Sequence, residues 1–566
     1  MNTLKSLKIA ISALALFALP LAAEAGEQEE LLKLRSTTEG LIKRLVKQGI
    51  LSQEDAREMM QQAEAEAETQ VAQKKVAGAP VENPGEVRVT YVPDFVKDEI
   101  REEVRAELRQ DVTGDVISKA KDEGWGLPDA LPEWTRKFKL SGDIRLRSEN
   151  VFMASDNITT GYYLNPQAIN QAGGFTDAGL DAFQNTTDDN HRFRERFRLG
   201  ITADVVEGVT AGVRLSTGDI REPVSTNQTL GRTGGRYEFG VDRAYLEYDG
   251  KDSAGFNWLT LAGGRIKNPF FVGGGEFSSG SELVWDTDLS FEGFYATGRY
   301  NLGNTNNLGD GARVLYATAG GFPLQEAPFS NNDKWLLGGQ IGLDWGFENK
   351  DNLKVGVAYY DYQKIRADQN STPSGTCDLN TRENDASMPE FMQYGNTLAT
   401  ICREGSPSNP GAFPGMLGLA ADYSIVNVTA RYDMAFFDPI NLILSVDYAE
   451  NVGFDAAKTA ALHGVPVDAN TSAWQLRADV GWLKLDRKGN WSTFVAYKSI
   501  GRDAVMDAFN DSDFHLGGTN AKGWILGANY TLMNNVWLTS RWLTTDVIDG
   551  PTWGVDVFQF DVNTKF

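Results

Sequence analysis

Four arginines, Arg192, Arg194, Arg196 and Arg198, stand at every second position of one short stretch, interleaved with Phe193, Phe197 and Leu199. The same rhythm puts Lys139, Asp143, Arg145, Arg147 and Glu149 on one face of 138–150, and Leu140, Ile144 and Leu146 on the other. Arg214, Arg243, Arg265 and Lys267 follow in neighbouring alternating stretches. Successive side chains of a strand point to opposite faces, so these cations read as one basic wall over five adjacent strands. In a confined, low-dielectric space such a wall sets a strong local field, and guanidinium groups suit oxyanions. The link 268–283 is rich in Gly and Ser and carries Glu276 and Glu282. Folded inward, it would set acidic groups against the wall, and Glu276 and Glu292 are read as pore-lining with the cations. An alternative reading pairs the arginines with Asp143, Glu149, Glu195, Glu247 or Glu292 as a satisfied polar wall.

Catalysis finds little footing in this chain. His191, His463 and His515 are scattered and form no nucleophile–base or metal-ligand spacing, so no metal site and no cofactor are expected. The acidic stretch 151–190, with Asp156, Asp177, Asp181, Asp188 and Asp189, lacks an EF-hand spacing and reads as a solvated loop. A formal charge of −23 argues against nucleic-acid binding. Cys377 and Cys402 lie in one polar segment between strands, and a loop disulfide is expected in an oxidising compartment.

A basic wall needs elements to hold it, and the chain reads in three parts. Residues 1–25 form a signal peptide: Lys5 and Lys8, an apolar run over 9–22, then the small-x-small site Ala23, Glu24, Ala25. Residues 26–136 are charged and helical in pattern, with Val96, Ile100, Val104, Leu108 and Val112 at every fourth position, a stripe suited to a partner helix or coil. Residues 137–566 switch to period two.

Sixteen strands are predicted in this third part: about 138–150, 191–206, 209–217, 237–248, 256–267, 284–300, 312–322, 334–346, 353–365, 421–434, 440–450, 473–484, 490–500, 522–532, 535–545 and 556–566. Links after odd strands are mostly long and links after even strands mostly short. An outer-membrane barrel has that alternation of outer loops and periplasmic turns, and an even strand number. Backbone polar groups must be satisfied within lipid, so a chain with no apolar run for a spanning helix can cross only as a closed barrel. The counts of 58 Gly, 29 Phe, 18 Tyr and 13 Trp suit strands, turns and interfacial aromatics such as Trp474, Trp524 and Trp542. Placing the arginines on the lipid face would cost about 2–4 kcal/mol each near the midplane, which sets the phase of the wall inward. The expected fold is thus an all-β transmembrane antiparallel barrel of about sixteen strands, wide enough for an aqueous channel, with an N-terminal helical, coiled-coil-like periplasmic segment.

The last strand alternates Phe558, Phe560, Val562 and Thr564 with polar residues and ends on Phe566, resembling the assembly signal of bacterial outer-membrane proteins. Further resemblances lie in Ala262 to Phe270 (AGGRIKNPF), Val284 to Gly293 (VWDTDLSFEG), Val87 to Pro93 (VRVTYVP) and Leu131 to Trp134 (LPEW) leading into Ser141 to Arg145 (SGDIR). The chain resembles the "putative porin" family of Gram-negative outer membranes over nearly all of its mature length. The resemblance implies passive diffusion of small hydrophilic solutes or ions, contact with outer-membrane lipid and lipopolysaccharide, and a homotrimer. The alternative is an anchor: the helices of 26–136 would tether the outer membrane to the cell wall through peptidoglycan.

Overall fold

The structure is a computed structural model and describes residues 137–270, 281–303, 312–328, 331–371, 377, 383–406 and 409–566. The expected signal peptide 1–25, the stretch 26–136 expected to be helical, and Glu276 lie outside the described residues.

Sixteen antiparallel strands form the barrel wall. They are β1 (Phe138–Met153), β2 (Asn190–Val206), β3 (Val209–Ser216), β4 (Gly240–Lys251), β5 (Asn257–Lys267), β6 (Ser290–Asn301), β7 (Arg313–Gln325) and β8 (Lys334–Gly346). There follow β9 (Asn352–Gln363), β10 (Ser424–Phe437), β11 (Ile440–Asn451), β12 (Ser472–Gly481), β13 (Trp491–Ile500), β14 (Ala521–Met533), β15 (Val536–Val547) and β16 (Gly554–Lys565). The barrel closes because β1 pairs with both β2 and β16, the latter from Asp143 opposite Lys565 to Met153 opposite Val555. Closure leaves no open sheet edge, as a lipid environment requires. No helix of the described residues is long and apolar enough to cross a membrane.

Alternation decides which face each side chain takes. In β14, Trp524, Leu526 and Tyr530 are about half exposed on the outside, while Ala521 and Ile525 are buried inside. Closure also depends on one contact at the chain end. The Gly142 amide donates to the Phe566 carbonyl at 2.9 Å and the Phe566 amide returns a bond to Gly142 at 3.0 Å. A Cβ on Gly142 would fall 2.5 Å from the Phe566 ring and 2.9 Å from the Arg198 carbonyl oxygen. Gly142→Val is therefore expected to destabilise the closing seam by about 1–3 kcal/mol, the usual cost of overpacking. A lower melting temperature of the heat-modifiable gel band, with Leu140→Val unchanged, is the check.

The predicted strand start at 284 moves to Ser290, and residues 281–289 turn into the barrel: Ser281, Leu283, Val284 and Trp285 are at most 1 % exposed. They meet two other inward segments. One is 501–520, with Ala504, Val505, Met506 and Phe514 buried; the other is Met392–Tyr394 of the long link after β9. That link also holds a hairpin, Leu398–Ser406 with Asn409–Leu419, and the disulfide Cys377–Cys402. The helix Pro166–Ala172 docks on the hairpin, Asn170 exchanging side-chain hydrogen bonds of 2.8 and 3.0 Å with the Leu417 backbone. The aqueous bore expected from strand number is thus filled, at its long-loop end, by a continuous apolar core. Strand number sets only the width available; the long links supply enough apolar side chains to occupy it.

Candidate functional site

The arginine ladder is present and faces inward. In register, Arg145 lies opposite Arg196 and Arg147 opposite Arg194. Like charges set directly across a strand pair repel, so this arrangement needs carboxylates between and above them. Asp143 bridges Arg196 and Arg198 at 2.8 and 2.7 Å, and Glu149 holds Arg192 at 2.5 Å. Asp561, opposite in β16, binds the Arg147 guanidinium at 2.8 and 3.0 Å and lies 3.6 Å from Arg145. Asp242 pairs with Arg214, and Arg243 donates to Ser290 at 3.3 Å.

Two further carboxylates come from the inward loops. Asp288 of 281–289 reaches Arg198 at 3.1 Å and Arg196 at 3.5 Å, and accepts from the Thr226 hydroxyl at 3.0 Å. Asp513 of 501–520 accepts from Arg147 at 3.2 Å and Gln559 at 3.0 Å and pairs with Arg541. The two loops are joined by Ser512, whose amide and hydroxyl donate to Asp286 at 2.9 and 3.0 Å. The ladder is therefore the seat on which both loops dock.

Glu282 does not oppose this wall. It faces Arg477 at 3.8 Å and Lys498 at 4.0 Å, a second basic group on β12 and β13 that also holds Asp479 and Asp511. Arg477 and Lys498 are not among the sequence-predicted site residues, and nothing in the local spacing marks Asp511 as the partner of Lys498. Glu247 takes the Tyr295 hydroxyl at 3.2 Å rather than an arginine.

Arg265 and Glu292 leave the ladder. They pair at 2.5 Å on the outward phase, the face shared by Leu261 and the 74 % exposed Phe294. For Arg265 the cause is a register shift at the start of β5, where Lys251 opposes Asn257 but Gly250 opposes Leu259, whereas Glu292 follows the outward phase of Phe294 in β6 itself. One residue is inserted at Trp258, so alternation counted from that tryptophan is inverted beyond it. Lys267 lies exposed where β5 ends. A second shift between Arg214 and Leu215 turns Asp242 and Arg243, neighbours in sequence, both inward. Glu195 shares the outward phase with Phe193 and Phe197, and so pairs with no arginine of the ladder.

Space remains along the wall from β4 to β9, in two cavities. The outer one, about 1020 Å³, lies under the long links between β3 and β8 and is floored by Trp285, Phe291 and Phe322. The inner one, about 470 Å³, is walled by Glu247, Asp249, Arg299, Tyr316, Asp344 and Lys354 and bordered by Lys267 and Phe270. Between them stands an aromatic cluster. The Phe270 centroid lies 6.2 Å from Trp285, 6.1 Å from Phe291 and Phe322, and 4.9 Å from Tyr360.

The docked loop 501–520 carries buried ionisable groups. Burial pushes Asp507 up to about 7 and His515 down to about 3, and raises Asp503. A raised carboxyl stabilises docking fully below its ordinary value near 3.8 and loses that contribution as pH rises through its docked value. The depressed imidazole contributes fully above 6.5 and loses it as pH falls toward about 3. Between these limits the two oppose each other. Asp507→Asn should therefore expose a steeper weakening of docking on acidification from pH 6.5. Protease cutting within 501–520 as a function of pH is the measurement; an unchanged profile would contradict it.

Among the described residues no group of three metal-ligating side chains is assembled. The sequence matches the putative porin family over residues 35–566. Among solved structures the chain is similar to OprB of Pseudomonas putida, at 12 % identity and a TM-score of 0.42, covering 78 % of this chain and 97 % of that one. It is also similar to the outer membrane channel DcaP of Acinetobacter baumannii, at 12 % identity and a TM-score of 0.36, covering 76 % and 97 %. No curated protein matches the sequence. The family match takes in every strand of the closed barrel, and the chain belongs to the putative porin family of bacterial outer-membrane barrels.

Proposed function

We propose that this chain is an outer-membrane channel for passive diffusion of small hydrophilic solutes or ions, and that the solute route follows the wall formed by β4 to β9. The observation that carries this reading is the pair of cavities stacked along that wall inside the closed barrel. The arginine ladder acts on transport indirectly, by seating the loops that confine the route, because its charges are matched by Asp143, Glu149, Asp288, Asp513 and Asp561. The local field along the route then comes from the inner cavity, where Arg299 and Lys354 face Glu247, Asp249 and Asp344.

Single-channel recording of the refolded chain in a planar bilayer tests this reading. Stable ohmic steps are expected, and Arg299→Ala with Lys354→Ala should move the reversal potential in a salt gradient toward cation selectivity. Arg194→Ala with Arg196→Ala should move it less. A larger shift from the ladder pair would return selectivity to the arginine wall, and a folded, inserted barrel without conductance would overturn the channel reading.

A further inference from the structure

The outer cavity is unusual for the mouth of a water-filled pore, and its lining has a definite chemistry. At about 1020 Å³ it is near the size of a small-molecule site, which is characteristically apolar with a few placed polar groups. Its apolar surface comes from the floor and from Phe391, Phe509, Leu324 and Met506. The charged groups around it are not balanced. Arg221 lies 3.9 Å from Asp219, and Arg265 and Glu292, paired with each other on the outward phase, only border the cavity. The Lys334 ammonium is 1 % exposed and held by the Gln325 carboxamide at 2.6 Å and the Ala386 and Met388 carbonyls at 2.8 and 2.9 Å. Glu222 and Glu390 remain on the lining with no ion-pair partner within salt-bridge distance among the described residues. Lys334 is the one lining cation without a carboxylate at ion-pair distance, so Glu222 and Glu390 together leave the lining net acidic. An apolar, aromatic chamber of that charge is complementary to positive charge carried on an apolar body, and aromatic faces add attraction for such a cation.

We infer that the outer cavity is a binding site for a small organic cation with an apolar body. This deepens the channel reading by naming the solute class that the long-loop end retains. Bound there, the cation keeps its charge at Glu222 and Glu390 and lays its apolar part against Phe391 and Phe509.

The test is calorimetric titration of the full chain in lipid nanodiscs, which reads binding without requiring conduction. The probe is benzyltrimethylammonium, compared with benzenesulfonate, which keeps the ring and reverses the charge, and tetramethylammonium, which keeps the charge and lacks the ring. Saturable binding of benzyltrimethylammonium is expected, with both comparators at least about tenfold weaker. Glu222→Gln with Glu390→Gln should weaken it about tenfold or more, the loss of nearby opposite charges at a partly desolvated site. Folding of the variant is verified by its heat-modifiable gel mobility. Phe391→Ala, at a half-buried position, should weaken benzyltrimethylammonium more than tetramethylammonium. Equal binding of benzenesulfonate, equal binding of tetramethylammonium, an unchanged affinity in the double glutamate variant, or no saturable binding to the folded chain would each overturn the assignment. A chain that binds the probe but does not conduct would overturn the channel reading and leave this site standing.

Discussion

Asp513→Asn should release the loop 501–520 from the barrel wall and enlarge the conducting path. Its carboxylate is shared by Arg147, Arg541 and Gln559, three inward side chains from three strands. Arg147 keeps Asp561 and Glu149 in the variant, but Asp513 is the only ion-pair partner of Arg541 among the described residues. Breaking a buried pair by removing one partner typically costs about 3–5 kcal/mol, because the remaining charge is left uncompensated. The ladder keeps Asp143, Glu149, Asp288 and Asp561 in the variant, so most of the cost falls on docking of the loop. A shift of that size changes the docked-to-undocked ratio by about 10² to 10³. Larger conductance steps and faster protease cutting within 501–520 are the readouts. Arg541→Met, which removes the stranded charge, should restore part of the docking when combined with Asp513→Asn. Unaltered conductance and cutting in the single variant would show that the loop is held by its apolar contacts alone.

Trp285→Ala should have an effect of similar size through packing rather than charge. The indole is 1 % exposed, and its ring centre lies 4.9 Å from those of Phe291 and Tyr360. Truncating a buried tryptophan costs about 3–5 kcal/mol, and the side chains around it relax only partly into the space left behind. Here that space lies between the outer and inner cavities, so the variant should join them. Higher conductance in a barrel of unchanged circular dichroism is expected. Trp285→Phe keeps a ring in the same place and should stay near the unsubstituted chain. Equal conductance of Trp285→Ala and the unsubstituted chain would move the barrier away from the aromatic cluster. The two variants separate two causes, since Arg541→Met should rescue docking in the Asp513 variant and leave Trp285→Ala unchanged.

Both expectations come from the loops, where sequence and structure part company. The wall was legible because a strand in lipid obeys one simple rule. Residues such as Trp524, Leu526 and Tyr530 must alternate with those facing inward, and the ladder Arg192 to Arg198 can take only the inner phase. Where the rule is broken by one inserted residue, as at Trp258, the phase of the rest of that strand inverts, and Arg265 changes sides. Periodicity carries no marker for such an insertion, since the flanking residues stay as strand-like as before.

The partners of the ladder were only half visible. Asp143 and Glu149 share a strand with arginines and could be read from alternation. Asp561 lies 414 residues from Arg147 along the chain, and Asp513 lies 366 residues away. Asp561 follows the alternation of the last strand, but Asp513 belongs to no repeating pattern, so local spacing says nothing of where it docks. Asp288 illustrates the same limit: within Val284 to Gly293 it looked like part of a strand, yet it sits in the inward loop against Arg196 and Arg198.

The sequence by itself determined a sixteen-strand closed wall, its long-loop and short-turn ends, and the inward face of most of its charges, because each follows from a period-two pattern with one face toward lipid. Only the tertiary structure decided what occupies the bore. Three links distant in sequence converge there, and their apolar contacts and ion pairs are set by chain geometry rather than by any local repeat. That convergence turned the arginine ladder from a bare pore lining into a docking seat, and it left the remaining space along the wall from β4 to β9.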